Sequence, residues 1–170
     1  SSTGEDVGNA LKSLGELGWK VKVTGNYTVA TFAPSAIGIA GKEAFKDVTG
    51  LSYTAFTYCK TDELPKPFVE FLARGKAFNA DKQAKLAMPY AATLYDNVYL
   101  LKAAVEASGG KTDGPTIATW IENNGKDFKN VLSGLTPSAQ THFLVGPDAL
   151  SAVYPDRSLP GGMQQRYGCN

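Results

Sequence analysis

Apolar residues recur at helical spacing in one long stretch near the middle of the chain. Between residues 86 and 109, the steps from one large apolar residue to the next are four, four, three and four. The residues at these positions are Tyr90, Leu94, Val98, Leu101 and Val105. They share one helix face, so the spacing predicts a long helix that is buried along this face. A proline near its start and two glycines after its end fit helix boundaries.

The rest of the chain alternates between helical and extended patterns. Val7, Leu11 and Leu14 predict a first helix that ends at Gly18, with Leu17 as a further possible member of its inner face. Further helices are predicted at 68–74 and after residue 113, with short helical pieces at 34–48. Alternation predicts strands at 19–24, 51–58, 143–145, 150–154 and 163–167. These elements predict an α/β protein.

Candidate binding residues follow the first predicted strand. Asn26, Tyr27 and Thr28 lie in a predicted loop directly after 19–24. In open α/β sheets, ligands bind outside the carboxyl ends of the strands, so these three residues are site candidates. Tyr90 lies at the start of the long helix, whose N-terminus carries a positive partial charge suited to an anionic ligand. The alternative is a core helix whose tyrosines only pack.

Composition excludes several classes of function. The 17 basic and 16 acidic residues leave a net charge of +1, so no electrostatic argument favours a nucleic acid or an anionic membrane as partner. The sequence has no run of eighteen apolar residues that would span a bilayer. It does not open with a charged segment followed by an apolar one, so we expect any signal peptide to have been removed already.

The cysteines and the one histidine offer little chemistry. Cys59 and Cys169 are far apart and lack metal-ligand spacing; they form either one disulfide or two buried thiols. His142 is the one imidazole, so we expect no zinc site, no other metal and no cofactor. No Gly-x-Ser-x-Gly motif accompanies it, and Asp96 fits a structural hydrogen-bonding role. We therefore expect no enzymatic activity.

Four stretches, in this order, resemble one family of proteins. They are the helix and Gly-Trp-Lys step of 4–20, the segment 39–41 with the aromatic strand 51–58, the Tyr-Asp-Asn-Val-Tyr-Leu-Leu run of 95–101, and the closing segment 141–155. Together they resemble the type I periplasmic solute-binding proteins of ABC transporters, the leucine/isoleucine/valine-binding family. The closing segment is similar to that of members that handle aromatic acids.

The resemblance implies a fold and an architecture. Such proteins have two Rossmann-like α/β lobes joined by crossovers, and this chain would be the C-terminal half, with segments of both lobes. Residues 1–57 would belong to lobe two, 58–61 would be a crossover, 62–138 would belong to lobe one, and 139–170 would form a crossover and the closing segment of lobe two. The N-terminal half would be a separate chain or have been lost by cleavage.

The resemblance also implies ligand-binding positions and partners. Thr3, Tyr27 with its neighbours Asn26 and Thr28, and Tyr90 match the family's ligand positions. Amino-acid binders carry an acidic ammonium anchor where this sequence has Tyr27, and a tyrosine cannot neutralise a buried ammonium. The expected ligand is therefore an aromatic carboxylate such as a benzoate or cinnamate derivative, with a branched-chain amino acid or amide second.

The implied role is transport. The protein would hand its solute to an ABC permease in the membrane, from the periplasm or from a lipid anchor outside a Gram-positive cell. A ligand-sensing receptor or regulator domain on the same fold is the alternative, because fold does not fix function.

Overall fold

A computed structural model of the chain describes residues 4–61, 63–84, 86–132, 134–141 and 144–169. Within these ranges the chain is a mixed α/β structure of six α-helices and five strands. The helices are α1 (Gly4–Glu16), α2 (Tyr27–Thr31), α3 (Ala33–Ala40), α4 (Lys66–Gln83), α5 (Met88–Ala107) and α6 (Gly114–Asn124). The strands are β1 (Val23–Thr24), β2 (Val48–Tyr53), β3 (Thr57–Tyr58), β4 (Leu150–Ser158) and β5 (Gln164–Arg166).

The sheet joins the two ends of the chain. Its strand order is β1-β2-β4-β5-β3, with β1 and β2 parallel and β2 and β4 antiparallel. β4 and β5 are also antiparallel, and β5 runs parallel to β3. The strands near the C-terminus therefore lie between β2 and β3, which are close neighbours in the sequence.

The buried apolar residues form two hydrophobic cores. The first lies among α1, α2, α3 and β2, and its buried members are Leu11, Val29, Ala33, Ala36, Phe45 and Val48. The second collects residues from β3, α4, α5, α6 and the C-terminal region. Its buried members include Phe56, Phe68, Phe71, Met88, Leu100, Val131, Leu132 and Met163.

The predicted buried face of α5 is wrong. The helix extends from Met88 to Ala107, close to the predicted range, but four of the five residues of the predicted face are exposed: Tyr90, Leu94, Val98 and Leu101. The buried residues of α5 lie on the opposite face: Met88, Pro89, Ala92, Asp96, Leu100 and Ala104. Small side chains let this face approach the second core closely, whereas the spacing of the large residues indicated only that they share a face.

Several predicted strands are shorter or interrupted. The strand expected at 19–24 is limited to Val23–Thr24, and the segment expected as a loop starts the helix α2 at Tyr27. The strand expected at 51–58 begins earlier, at Val48, and a 3-10 turn at Thr54–Phe56 separates β2 from β3. The short strand expected at 143–145 includes Phe143, which lies outside the described residues, while Val145 forms one isolated bridge with Leu135.

Other predicted elements are confirmed. Leu11 is buried in α1, Val7 and Leu14 pack against the first core, and Gly18 follows the helix with a φ of 65°. Leu17 lies beyond the helix end and is exposed. The predicted helix after residue 113 and the predicted strands at 150–154 and 163–167 correspond to α6, β4 and β5.

Asp96 has the structural role expected from the sequence. It is 3% exposed and its carboxylate accepts the backbone N–H groups of Val131 and Leu132. Burial raises the pKa of this carboxyl above its ordinary value of 3.8, and the two backbone hydrogen bonds partly oppose that shift. Asp96 thereby fixes the irregular segment after α6 against the middle of α5.

A disulfide joins Cys59 to Cys169, which is one of the two states that the sequence leaves open. The two residues are 110 positions apart and their Cα atoms are 5.2 Å apart. The bond fastens the last residues of the chain to the segment that leads from β3 to α4.

Replacing both cysteines, Cys59→Ser with Cys169→Ser, should lower the free energy of unfolding by about 2–4 kcal/mol, because the bond restricts the unfolded chain over a long loop. Denaturant unfolding of the oxidised protein and the double variant measures the difference. Reductant should destabilise the wild type and leave the double variant unchanged. Equal unfolding midpoints for the oxidised protein and the variant would contradict the prediction.

The buried carboxyl predicts a pH-dependent contribution to stability. The folded-state pKa of Asp96 is raised, so the folded state favours the protonated carboxyl. The stability that this carboxyl contributes is therefore complete below the unfolded pKa of 3.8 and is lost as pH rises through the folded pKa. The stability of the wild type relative to Asp96→Asn should therefore fall as pH rises across that window.

Asp113 provides the control with the opposite sign. It is exposed and caps α6, and the hydrogen bond from the Thr116 N–H lowers the pKa of its carboxyl below 3.8. Its contribution is present above 3.8 and is lost as pH falls, so the wild type relative to Asp113→Asn should gain stability with rising pH. Urea unfolding of the wild type and the two variants across acidic pH measures both stability differences. If the two differences changed with pH in the same direction, the assigned directions of the pKa shifts would be contradicted.

Candidate ligand-binding site

The start of α2 positions Tyr27 directly after β1. The Asn26 Oδ1 atom accepts the Thr28 N–H at 3.0 Å and caps the helix. Between strand and helix, a Cβ on Gly25 would lie 2.4 Å from the side chain of Val29, so this tight reversal requires glycine. Tyr27 is consequently fixed at the carboxyl end of β1.

Three tyrosines from three elements meet at this point. The ring of Tyr27 in α2 lies 4.9 Å from that of Tyr53, the last residue of β2, and 5.1 Å from that of Tyr90 in α5, between ring centroids. Phe32 extends the contact, with its ring centroid 5.9 Å from that of Tyr90. We refer to Tyr27, Tyr53 and Tyr90 as the tyrosine cluster. It is the place where α2 and β2 of the first core face the start of α5.

The hydroxyl of Tyr27 is buried and has no hydrogen-bond partner among the described residues. Burial raises the pKa of this hydroxyl well above its usual range; interactions with Thr31 and Thr93 oppose the shift without reaching hydrogen-bond geometry. Burial also raises the pKa of the Tyr53 hydroxyl. The Tyr27 hydroxyl is therefore neutral, and a ligand that offers an acceptor would satisfy a donor that the protein leaves unpaired.

The structure brings some of the predicted binding residues together and not others. It brings Tyr27 and Tyr90 into contact, although 62 residues lie between them in the sequence. Asn26 and Thr28 lie beside them, but the Asn26 side chain caps α2, and the Thr28 side chain is half-buried. Thr3 lies outside the described residues.

Tyr53 and Phe32 also belong to this contact but were not predicted from the sequence. Tyr53 ends β2, which is parallel to β1, so the rule that selected the residues after β1 applies equally to the carboxyl end of β2. The predicted strand passed through this position to residue 58, which hid the strand end. Phe32 lies between α2 and α3, and no sequence signal indicated its contact with Tyr90.

A cleft of about 610 Å³ opens next to the tyrosine cluster. Thr31 of α2 and Pro34 of α3 form one side, and Leu72 of α4 and Pro89 of α5 form the other. The turn at Gly161 and Gly162 also lines it. Of the predicted binding residues that the structure describes, Asn26, Tyr27, Thr28 and Tyr90, none lines this cleft, so the cleft adjoins the cluster without containing it.

Within the described residues, we find neither a metal-binding cluster nor a membrane-spanning helix. Its His, Cys, Asp and Glu side chains form no group of three or more that would hold a metal ion. None of the helices within the described ranges is long and apolar enough to cross a lipid bilayer. His142 lies outside the described residues.

Tyr27→Phe should raise the free energy of unfolding by about 1 kcal/mol, because it removes a buried hydroxyl that has no partner. Tyr58→Phe is the matched control: the Tyr58 hydroxyl donates to the Arg157 carbonyl oxygen at 3.2 Å. That variant should lose about 1 kcal/mol, because it breaks a hydrogen bond. Denaturant unfolding measures both, and destabilisation by Tyr27→Phe would show that its hydroxyl is already paired.

Comparison with known proteins identifies the fold. No protein-family model matches the chain, and no curated protein sequence matches it. Among solved structures, it is similar to a periplasmic binding protein type 1 from Bordetella pertussis Tohama I, with a TM-score of 0.69 and 19% sequence identity. The similarity covers 90% of this chain and 41% of the Bordetella chain. This chain therefore has the fold of part of a type 1 periplasmic binding protein, and it spans less than half of that neighbour's length.

Proposed function

We propose that this chain belongs to a solute-binding protein that encloses a small organic molecule at the tyrosine cluster. The observation that carries the proposal is the buried, unpaired hydroxyl of Tyr27 between the rings of Tyr53 and Tyr90. An unpaired buried hydroxyl lowers stability, and a ligand acceptor would remove that cost. The fold shared with a periplasmic binding protein supports the same role.

Ligand entry would require the two sides of the cluster to separate. Tyr27 and Tyr90 are in ring contact, and they lie on α2 and α5, which pack into different cores. Closure of two rigid bodies around a solute is a common hinge motion. The structure would then correspond to an arrangement in which the rings fill the place of the solute.

The chemistry of the cluster favours an aromatic carboxylate. Aromatic rings can flank an aromatic body, while the neutral Tyr27 hydroxyl can donate to a carboxylate oxygen. The tyrosine cluster itself contains no carboxylate to pair with the ammonium of an amino acid, and burying an unpaired ammonium is costly. A benzoate or cinnamate derivative is our first choice, and a branched-chain amino acid or amide is the second.

The proposed protein is larger than this chain. We infer that 1–57 and the closing part of 139–170 contribute to lobe two, that 62–138 contributes to lobe one, and that 58–61 is a crossover. The N-terminal half of the protein would complete both lobes, and an ABC permease would receive the solute in the periplasm or at the cell surface. The span of 41% on the neighbour supports a larger whole.

Titration calorimetry on the complete protein tests the ligand. Benzoate and cinnamate derivatives should bind, and Tyr27→Ala with Tyr90→Ala should raise the Kd at least about tenfold, because tyrosines that anchor a binding site typically cost about 2 kcal/mol or more when they are truncated. Tyr167→Ala is the control, since this exposed ring packs on Tyr154 outside the cluster, and it should leave the Kd unchanged.

Three results would count against the proposal in different ways. Unchanged affinity in the double variant would overturn the site. Binding of leucine, isoleucine or valine without binding of aromatic acids would overturn the ligand class. Binding of neither set would leave the solute-binding role unsupported.

A further inference from the structure

The cleft beside the tyrosine cluster is continuous with it. Thr31 lines the cleft and lies one turn of α2 after Tyr27. Pro89 also lines the cleft and directly precedes Tyr90 at the start of α5. The two helices that hold these rings therefore also form two sides of the cleft. A solute held between Tyr27 and Tyr90 would lie at the edge of this cleft.

The walls of the cleft are held in place by close packing and by one hydrogen bond. Gly161 and Gly162, in the turn between β4 and β5, have φ angles of 93° and 86°. A Cβ on Gly161 would lie 2.7 Å from the Leu72 side chain, and one on Gly162 would lie 3.1 Å from Pro89. The Gln83 Nε2 atom donates to the Leu72 carbonyl oxygen at 2.7 Å, which fixes the end of α4 against its middle. The cleft is therefore already formed without a ligand, as small-molecule sites usually are.

The lining of the cleft is largely apolar. Its polar side chains are those of Thr31, Lys76 and Gln83. The Gln83 amide already donates to the backbone, and Lys76 is exposed, so its ammonium can remain in water while its methylenes face the cleft. Among the described residues that line the cleft, none carries a carboxylate. This chemistry fits an uncharged, apolar group.

We propose that the cleft binds an apolar substituent of the solute, so that the solute is an aromatic acid whose ring carries an alkyl chain or a second ring. The inference rests on the proposed function and deepens it, because it concerns the part of the solute that lies outside the tyrosine cluster. The volume of about 610 Å³ is within the range of about 300–1,000 Å³ that is typical of small-molecule sites. An unsubstituted benzoate held at the cluster would leave this volume unfilled.

Titration calorimetry of the complete protein with benzoate, 3-butylbenzoate and 4-butylbenzoate tests the proposal. Each fully buried methylene improves affinity about fourfold. A four-carbon chain that is about half buried in the cleft should therefore make at least one of the two isomers bind at least about tenfold more tightly than benzoate.

The variant Ala73→Phe shows whether the chain lies in the cleft. Ala73 lines the cleft from α4 and is exposed, so a phenylalanine there occupies the cleft without disturbing a core. It should reduce the gain in affinity from the butyl chain to less than that of one buried methylene, about fourfold. Ala80→Phe, which also fills the cleft, takes its place if Ala73→Phe does not fold.

Ala77→Phe is the matched control. Ala77 lies one turn after Ala73 in α4, is exposed, and is not among the residues that line the cleft. This variant should keep the gain of at least about tenfold from the butyl chain. The gain is a ratio of two Kd values for the same variant, so a general loss of affinity cancels.

Three results would overturn the inference, and they separate it from the proposed function. If benzoate binds and neither butyl isomer binds more tightly, the cleft is empty or covered by another part of the protein, and the solute-binding role stands. If Ala73→Phe and Ala80→Phe both keep the full gain from the chain, the chain lies elsewhere. If none of the three acids binds, the inference fails together with the proposed aromatic ligand.

Discussion

The pairing of β2 with β4 is the interaction on which the rest of the structure depends. Gly50 pairs with Val153 and Tyr53 with Leu150, so strands that are about 100 residues apart in sequence form the centre of the sheet. β5 extends this sheet to β3, and the buried Gln164 side chain donates from Nε2 to the Ala30 carbonyl oxygen of α2. Without these contacts, β1 and β2 would not be connected to β3 through the sheet. The two cores would then be joined mainly by the covalent chain.

The sequence predicted elements better than it predicted which surfaces they bury. The range of α5 was nearly correct, because the period of Leu94, Val98 and Leu101 reflects a true helix. The same spacing could not show which face of α5 is buried against the rest of this chain. Small residues such as Ala92 and Ala104 are fully buried here, although they give little sequence signal.

The site was predictable in part, and for separable reasons. The selection of Tyr27 followed from the strand-end rule, although Asn26 converts the expected loop into the start of α2 by capping it. Its contact with Tyr90 depends on how the two cores face each other, which local patterns do not encode. The resemblance to a two-lobed family also selected Tyr27 and Tyr90, which are in ring contact in the structure. The same rule would have selected Tyr53, had the end of β2 been known from the sequence.

The covalent ring between Cys59 and Cys169 has a consequence for the integrity of the molecule. Any single backbone cut between Cys59 and Cys169, for example in the exposed segment between α5 and α6, leaves the pieces linked through sulfur. A nicked molecule would keep its mass apart from one added water, and it would separate into fragments only after reduction. The disulfide therefore holds the molecule together after a cut in the region of α4, α5 and α6. A cut before Cys59 would release a fragment that this bond does not retain.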